Sequence, residues 1–200
     1  MHSDDKTAAN GALRPKRKPT PIIGICGWKK SGKTTLTVRL VEEFTARGLK
    51  VATLKHAHHK FQIDDGNTDS ARHRRAGAGE VAVVSARRWA MIGELNGEDE
   101  PDFADVIQWF SPCDLIVVEG YKSAPIPKIE ARRRDAFTTT LLAPADQQII
   151  AIAADHEADG RGLPVFALDD ICAIADFIAG AIGPLATSQA GASPPLHKIT

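Results

Sequence analysis

Gly27-Trp28-Lys29-Lys30-Ser31-Gly32-Lys33-Thr34 is the stretch whose residue types and spacing most directly dictate a chemistry. It reads G-x-x-x-x-G-K-T, the P-loop pattern. Glycines at 27 and 32 let the backbone curl so that successive N–H groups point inward as an anion nest. A helix opening at Lys33 turns its free N–H groups and positive dipole end toward phosphate. Lys33 is expected to reach the terminal phosphates and the Thr34 hydroxyl to ligate Mg²⁺. Lys30, Ser31, Gly32 and Thr35 complete the expected cradle.

Glu119 is the second anchor. The apolar run Leu115–Val118 delivers this carboxylate to a strand tip, the Walker B arrangement, where it completes the Mg²⁺ shell directly or through water. Lys55, His56, His58 and His59 follow another apolar run, with Asp64, Asp65 and Asp69 beyond them. These side chains are expected to line a polar pocket beside the γ-phosphate, Asp69 orienting a metal or water. The H-x-H-H spacing is also compatible with zinc, although no cysteine or carboxylate lies at familiar ligand spacing. Arg72, His73, Arg74 and Arg75 crowd one helical turn. They form either a solvated face or a grip for a second phosphorylated ligand. Lys122, Lys128 and Arg132 to Arg134 could add to that grip. No N-K-x-D guanine-reading motif is present, and Asp155 is the candidate for reading the base edge.

Positioning these groups requires strands that end where they begin. Ile22–Cys26 reads as a strand and Lys33 to Arg47 as a helix, with Leu36, Leu40, Val41 and Phe44 on one face. Further strands are expected at 49–54, 115–118, 126–131, 149–153 and 165–168. Asp69–Ala78 reads as a short helix capped by Asp69. Asp102–Phe110 is a second short helix, and Asp170 caps a last one over Ile171–Ile182. EVAVVS at 80–85 and WAMIGEL at 89–95 suggest an inserted β-hairpin. Strands alternating with helices predict an α/β, mostly parallel sheet flanked by helices. Ligands then bind outside the carboxyl ends of the strands. Residues 1–20 and 184–200 are expected to be disordered tails around a domain spanning 21–183.

Two hundred residues with 43% hydrophobic content suit one domain with a real core. Lys plus Arg and Asp plus Glu are 25 each, so the chain has no charge bias toward nucleic acid or membrane. No apolar run approaches the ~20 residues of a membrane span, and the first residues carry no signal-peptide core. Cys26, Cys113 and Cys172 sit in apolar surroundings and read as buried thiols of a reducing cytoplasm.

KHAHHKFQIDDGNTDSARHRRAGA, RWAMIGEL, SPCDLIVVEGYK and PKIEARR follow the P-loop in that order. Together they resemble the molybdopterin-guanine dinucleotide biosynthesis protein B family, densely over 22–135 and more loosely to 182. Asn67-Thr68 and Arg75 depart from the usual pattern, where a Gly-Lys pair and an acidic residue stand. The resemblance implies a cytoplasmic, homodimeric GTP-binding protein with weak GTP hydrolysis at most. It also implies an accessory role: helping a molybdopterin guanylyltransferase partner attach GMP to molybdopterin, with the hairpin contributing to the dimer. Two other classes remain open on the residues alone. One is a small-molecule kinase, with Ala131–Arg134 as an arginine-rich lid and Asp69 as base. The other is a metal-chaperone GTPase that uses the histidines.

Overall fold

The computed structural model describes residues 19–57, 61–138, 140–183 and 185. The expected disordered tails lie almost wholly outside the described residues, as do His58 and His59. Strands β1 (Ile22–Cys26), β2 (Val51–Lys55), β5 (Leu115–Glu119), β6 (Lys128–Arg132), β7 (Ile149–Ala154) and β8 (Val165–Ala167) form one sheet. Its order is β2-β5-β1-β6-β7-β8, and every pairing is parallel. Strands β3 (Glu80–Val84) and β4 (Trp89–Gly93) form a separate antiparallel ribbon, the expected hairpin.

Helices cover both faces, which is why the central strands read as unbroken apolar runs. On one face α1 (Lys33–Ala46) and α4 (Ile171–Ala181) pack together. Leu36, Leu40, Phe44, Ile174 and Ile178 bury there against Ile23, Ile25, Leu115 and Val117. Leu40 and Phe44 have 0% exposure, so cutting either to alanine costs about 2–5 kcal/mol. Arg47 ties the two helices through Glu43 and Asp176, at 2.8 and 2.6 Å. On the other face α3 (Phe103–Gln108) brings Phe103 and Ile107 against Ile116 and Val118.

Three local expectations are corrected. Helix α2 spans Asp69–Arg75, ending short of Ala78, and its cap is Thr68 and not Asp69. The Thr68 hydroxyl accepts from the Ala71 N–H at 3.2 Å, while Asp69 faces solvent. Strand β6 begins at Lys128, because Pro127 has no N–H to give a ladder. Of the three thiols only Cys26 is buried; Cys113 is half-buried and Cys172 exposed. Cys172 falls between the buried Ile171 and Ile174, off the apolar stripe of α4. Among the described residues no helix is long and apolar enough to cross a membrane.

Candidate functional site

The P-loop lies between β1 and α1. Gly32 is the N-cap of α1 with φ 90°, and among the described residues no side chain caps the helix. The first N–H groups of α1 are therefore left to an outside acceptor. Gly27 has φ 145°, and a Cβ there would collide with Ser31 Oγ and the Ala131 carbonyl. Lys30 takes φ 65°, an uncommon conformation for a side-chain-bearing residue. The loop thus closes only with glycine at both ends.

Parallel register brings the anchors together. Ile25 on β1 and Lys55 on β2 both stand opposite Glu119 on β5. Glu119 is 8% exposed. Its Oε1 accepts from the Thr34 hydroxyl at 2.7 Å and meets Lys55 Nζ at 3.2 Å. A carboxylate so deeply set requires such partners. Lys33 Nζ donates to the Trp28 carbonyl at 2.6 Å. Burial lowers the Lys33 pKa below its ordinary value, and Glu119 pulls the other way. Hydroxyl, carboxylate and two ammonium groups, placed beside free helix N–H groups, are suited to hold a polyphosphate and a hard cation.

The other sequence candidates separate. His56 packs its ring on Tyr121 at 4.3 Å between centroids and meets Glu100 at 2.9 Å. Glu100 also accepts from the Tyr121 hydroxyl at 3.3 Å. Glu100 does not stand out in the sequence, because this contact joins a charged loop to a strand tip 21 residues away. Asp69 and Arg72 pair with each other on the surface at 3.5 Å. Arg74 is not a free cation. It pairs with Asp65 at 3.1 Å and Glu94 at 2.8 Å, and donates to the carbonyls of Ile63 and Asp64. Arg75 likewise holds the carbonyls of Asp65 and Gly66. The arginine cluster therefore folds the loop before α2 onto the β3–β4 ribbon. Among the described residues no hydrogen bond or ion pair joins α2 to the P-loop or Glu119.

The cations after β5 separate as well. Lys128 is buried against Asp146 at 2.8 Å, and Arg132 against Glu130 at 2.8 Å. Glu130 also accepts from the Leu142 and Ala143 N–H groups, at 2.9 and 3.0 Å. Ala131 and Arg132 are thus core strand and form no lid. Lys122 lies over the Trp28 ring at 3.7 Å. The Asp155 carboxylate accepts from the Arg134 N–H at 2.9 Å and contacts His156 at 2.8 Å. Those bonds, the His156 contact foremost, lower its pKa. Asp155 lines a cavity of about 460 Å³ together with Lys30–Thr35, Arg133 and Asp135. The strand-tip rule therefore does bring Asp155 to the P-loop crevice. Among the described residues no group of three or more His, Cys, Asp and Glu is placed to hold a metal ion by itself.

A family model described as molybdopterin guanine dinucleotide synthesis protein B, MobB, matches residues 22–155. The chain belongs to the MobB family. Two curated relatives are molybdopterin-guanine dinucleotide biosynthesis adapter proteins. That of Haemophilus influenzae is 37% identical over 162 residues, spanning 79% of this chain and 87% of its own. That of Escherichia coli is 35% identical over 160 residues, spanning 79% of this chain and 91% of its own. The crystal structure of Bacillus subtilis MobB superimposes with a TM-score of 0.64 at 27% identity, covering 82% of this chain and 98% of that one. The MobB match runs from the first residue of β1 to the residue after β7. It therefore holds the P-loop, Glu119 and the β3–β4 ribbon, and leaves out β8 and α4.

Proposed function

We propose that this chain is a GTP-binding adapter of molybdenum-cofactor biosynthesis. In this reading it binds GTP with Mg²⁺ and assists a molybdopterin guanylyltransferase in attaching GMP to molybdopterin. The observation that carries the nucleotide part is the Thr34–Glu119 contact beside Lys33. It couples a helix-terminal hydroxyl to a strand-tip carboxylate, the pair that P-loop proteins use for the cation bridging the β- and γ-phosphates. The adapter part is supported by the names of the relatives. Lys33 and Glu119 hold the phosphates and the metal. In this reading hydrolysis is slow at most, as the family resemblance implies.

The chain works in the cytoplasm as a homodimer through the β3–β4 ribbon, whose Val84, Trp89 and Met91 are 68, 59 and 50% exposed. Molybdopterin, or the enzyme carrying it, approaches the Glu119–Lys122 turn and Arg72, with Arg74 holding the scaffold behind them. Calorimetric titration with GTP and ATP in Mg²⁺ tests this, alongside a GMP-transfer assay with the guanylyltransferase and molybdopterin. Preferential GTP binding, negligible turnover alone and stimulated transfer are expected. Phosphorylation of an added small molecule would replace the adapter reading with a kinase.

A further inference from the structure

Resting on the nucleotide-binding reading above, we propose that Arg133 clamps the α-phosphate of the bound nucleotide. Strand β1 has β5 on one side and β6 on the other. Glu119 and Lys55 come from the β5 and β2 side, and Thr34 bonds to Glu119. Thr34 and Glu119 would hold a cation there, which would place the terminal phosphates on the β5 side. The α-phosphate must then lie away from β5, toward β6.

Arg133 is the residue that follows β6. A Cβ built on Gly32 would sit 2.8 Å from Arg133 Nε and 3.4 Å from its Cδ. The guanidinium stem therefore lies directly against the glycine at the helix N-terminus, and a side chain at 32 would displace it. Arg133 shares one cavity with Lys30–Thr35 and another with Thr35, Arg39 and Asp169. It thus spans from the phosphate nest toward the tips of β7 and β8.

Its backbone is stitched in place. The Phe137 N–H donates to the Lys29 carbonyl at 3.1 Å, and the Ala136 N–H to the Arg133 carbonyl at 3.1 Å. The Arg134 N–H donates to Asp155 at 2.9 Å, and Trp28 Nε1 to the Thr140 carbonyl at 2.6 Å. The segment is laid across the P-loop and fastened to it at Trp28 and Lys29. Arg132 and Lys128, the neighbouring cations on β6, are committed to buried pairs. Among the described residues the Arg133 guanidinium has no hydrogen bond or ion pair. A pre-positioned guanidinium with free donors is suited to grip two phosphate oxygens at once. Asp135 and Asp155 line the same cavity. They offset part of its positive charge.

The test is calorimetry of GTP and GDP, each with Mg²⁺, against wild type, Arg133→Ala, Arg133→Lys and Lys33→Ala, with Tm measured for each. Both nucleotides carry the α-phosphate, so Arg133→Ala should weaken both by the same factor, about ten- to hundredfold, with Tm unchanged. Lys33→Ala should weaken GTP more than GDP. Arg133→Lys should lose part of the affinity for both, because the planar fork is gone. Equal binding by wild type and Arg133→Ala overturns the clamp and leaves the nucleotide site standing. A loss confined to GTP overturns the α placement. A wild type that binds neither nucleotide overturns the nucleotide reading, and the clamp falls with it. If Arg133→Ala lowers Tm, the lysine variant decides: a several-fold loss for both nucleotides supports the clamp, and none overturns it.

Discussion

Thr34 Oγ1 donates to Glu119 Oε1 at 2.7 Å across 85 positions of sequence. The contact exists because β1 and β5 are adjacent and parallel, with Ile25 opposite Glu119. It joins the start of α1 to the tip of a strand buried at every position. Glu119→Gln keeps the shape and removes the charge. This variant should weaken GTP binding in Mg²⁺ more than in chelator, by about tenfold. The same Mg²⁺ dependence in mutant and wild type would remove Glu119 from the metal site.

Lys33→Ala should lose nucleotide triphosphate affinity by about 1.5–3 kcal/mol or more with the fold retained. The wild-type protein offers a second readout. Burial lowers the Lys33 pKa below 10.5, so its ammonium deprotonates earlier than a free lysine as pH rises. GTP affinity should therefore fall on the alkaline side before 10.5 is reached. A flat profile of dissociation constant against pH across that range would show that the Lys33 charge is not used.

The β3–β4 ribbon exposes Val84 and Trp89, which are paired across its two strands. Apolar cross-strand pairs on a ribbon that, among the described residues, no third strand borders call for a covering surface. Val84→Asp with Trp89→Glu should convert a dimer to a monomer in light scattering at micromolar concentration, leaving Tm little changed. A monomeric wild type would show that the ribbon has another use.

Arg74→Ala should lower Tm and leave GTP affinity unchanged. Its guanidinium holds Asp65, Glu94 and two carbonyls, so its loss frees the loop before α2 and not the phosphate site. Weakened GTP binding at unchanged Tm would return Arg74 to the ligand.

Cys26 should resist alkylation while Cys172 reacts. Burial first, and then Glu130, push the Cys26 thiol up to about 12, so at a pH of about 8 almost none of it is thiolate. Peptide mapping after iodoacetamide treatment of native protein checks the order. Modification of Cys26 at the rate of Cys172 would mean that β1 opens readily.

The sequence by itself determined the P-loop turn, the Glu119 strand tip and the α/β class. Each is written in contiguous residues: G-x-x-x-x-G-K-T demands one backbone path, and LIVV before Glu119 demands a strand buried on both faces. Even Asp155 was legible as a strand-end residue. The tertiary structure alone decided which charges were free. Lys128, Arg132, Arg133 and Arg134 read alike in the chain, yet Lys128 and Arg132 are buried with carboxylates from β6 itself and the 141–148 loop. Arg74 and Arg72 lie two positions apart, and only Arg74 is enclosed by Asp65 and Glu94. The pairing of a long cation depends on which carboxylate the fold places within about 3 Å, and that distance is set by strand order and loop path. Periodicity shows which face of a segment is apolar. It carries no record of what lies opposite the polar face.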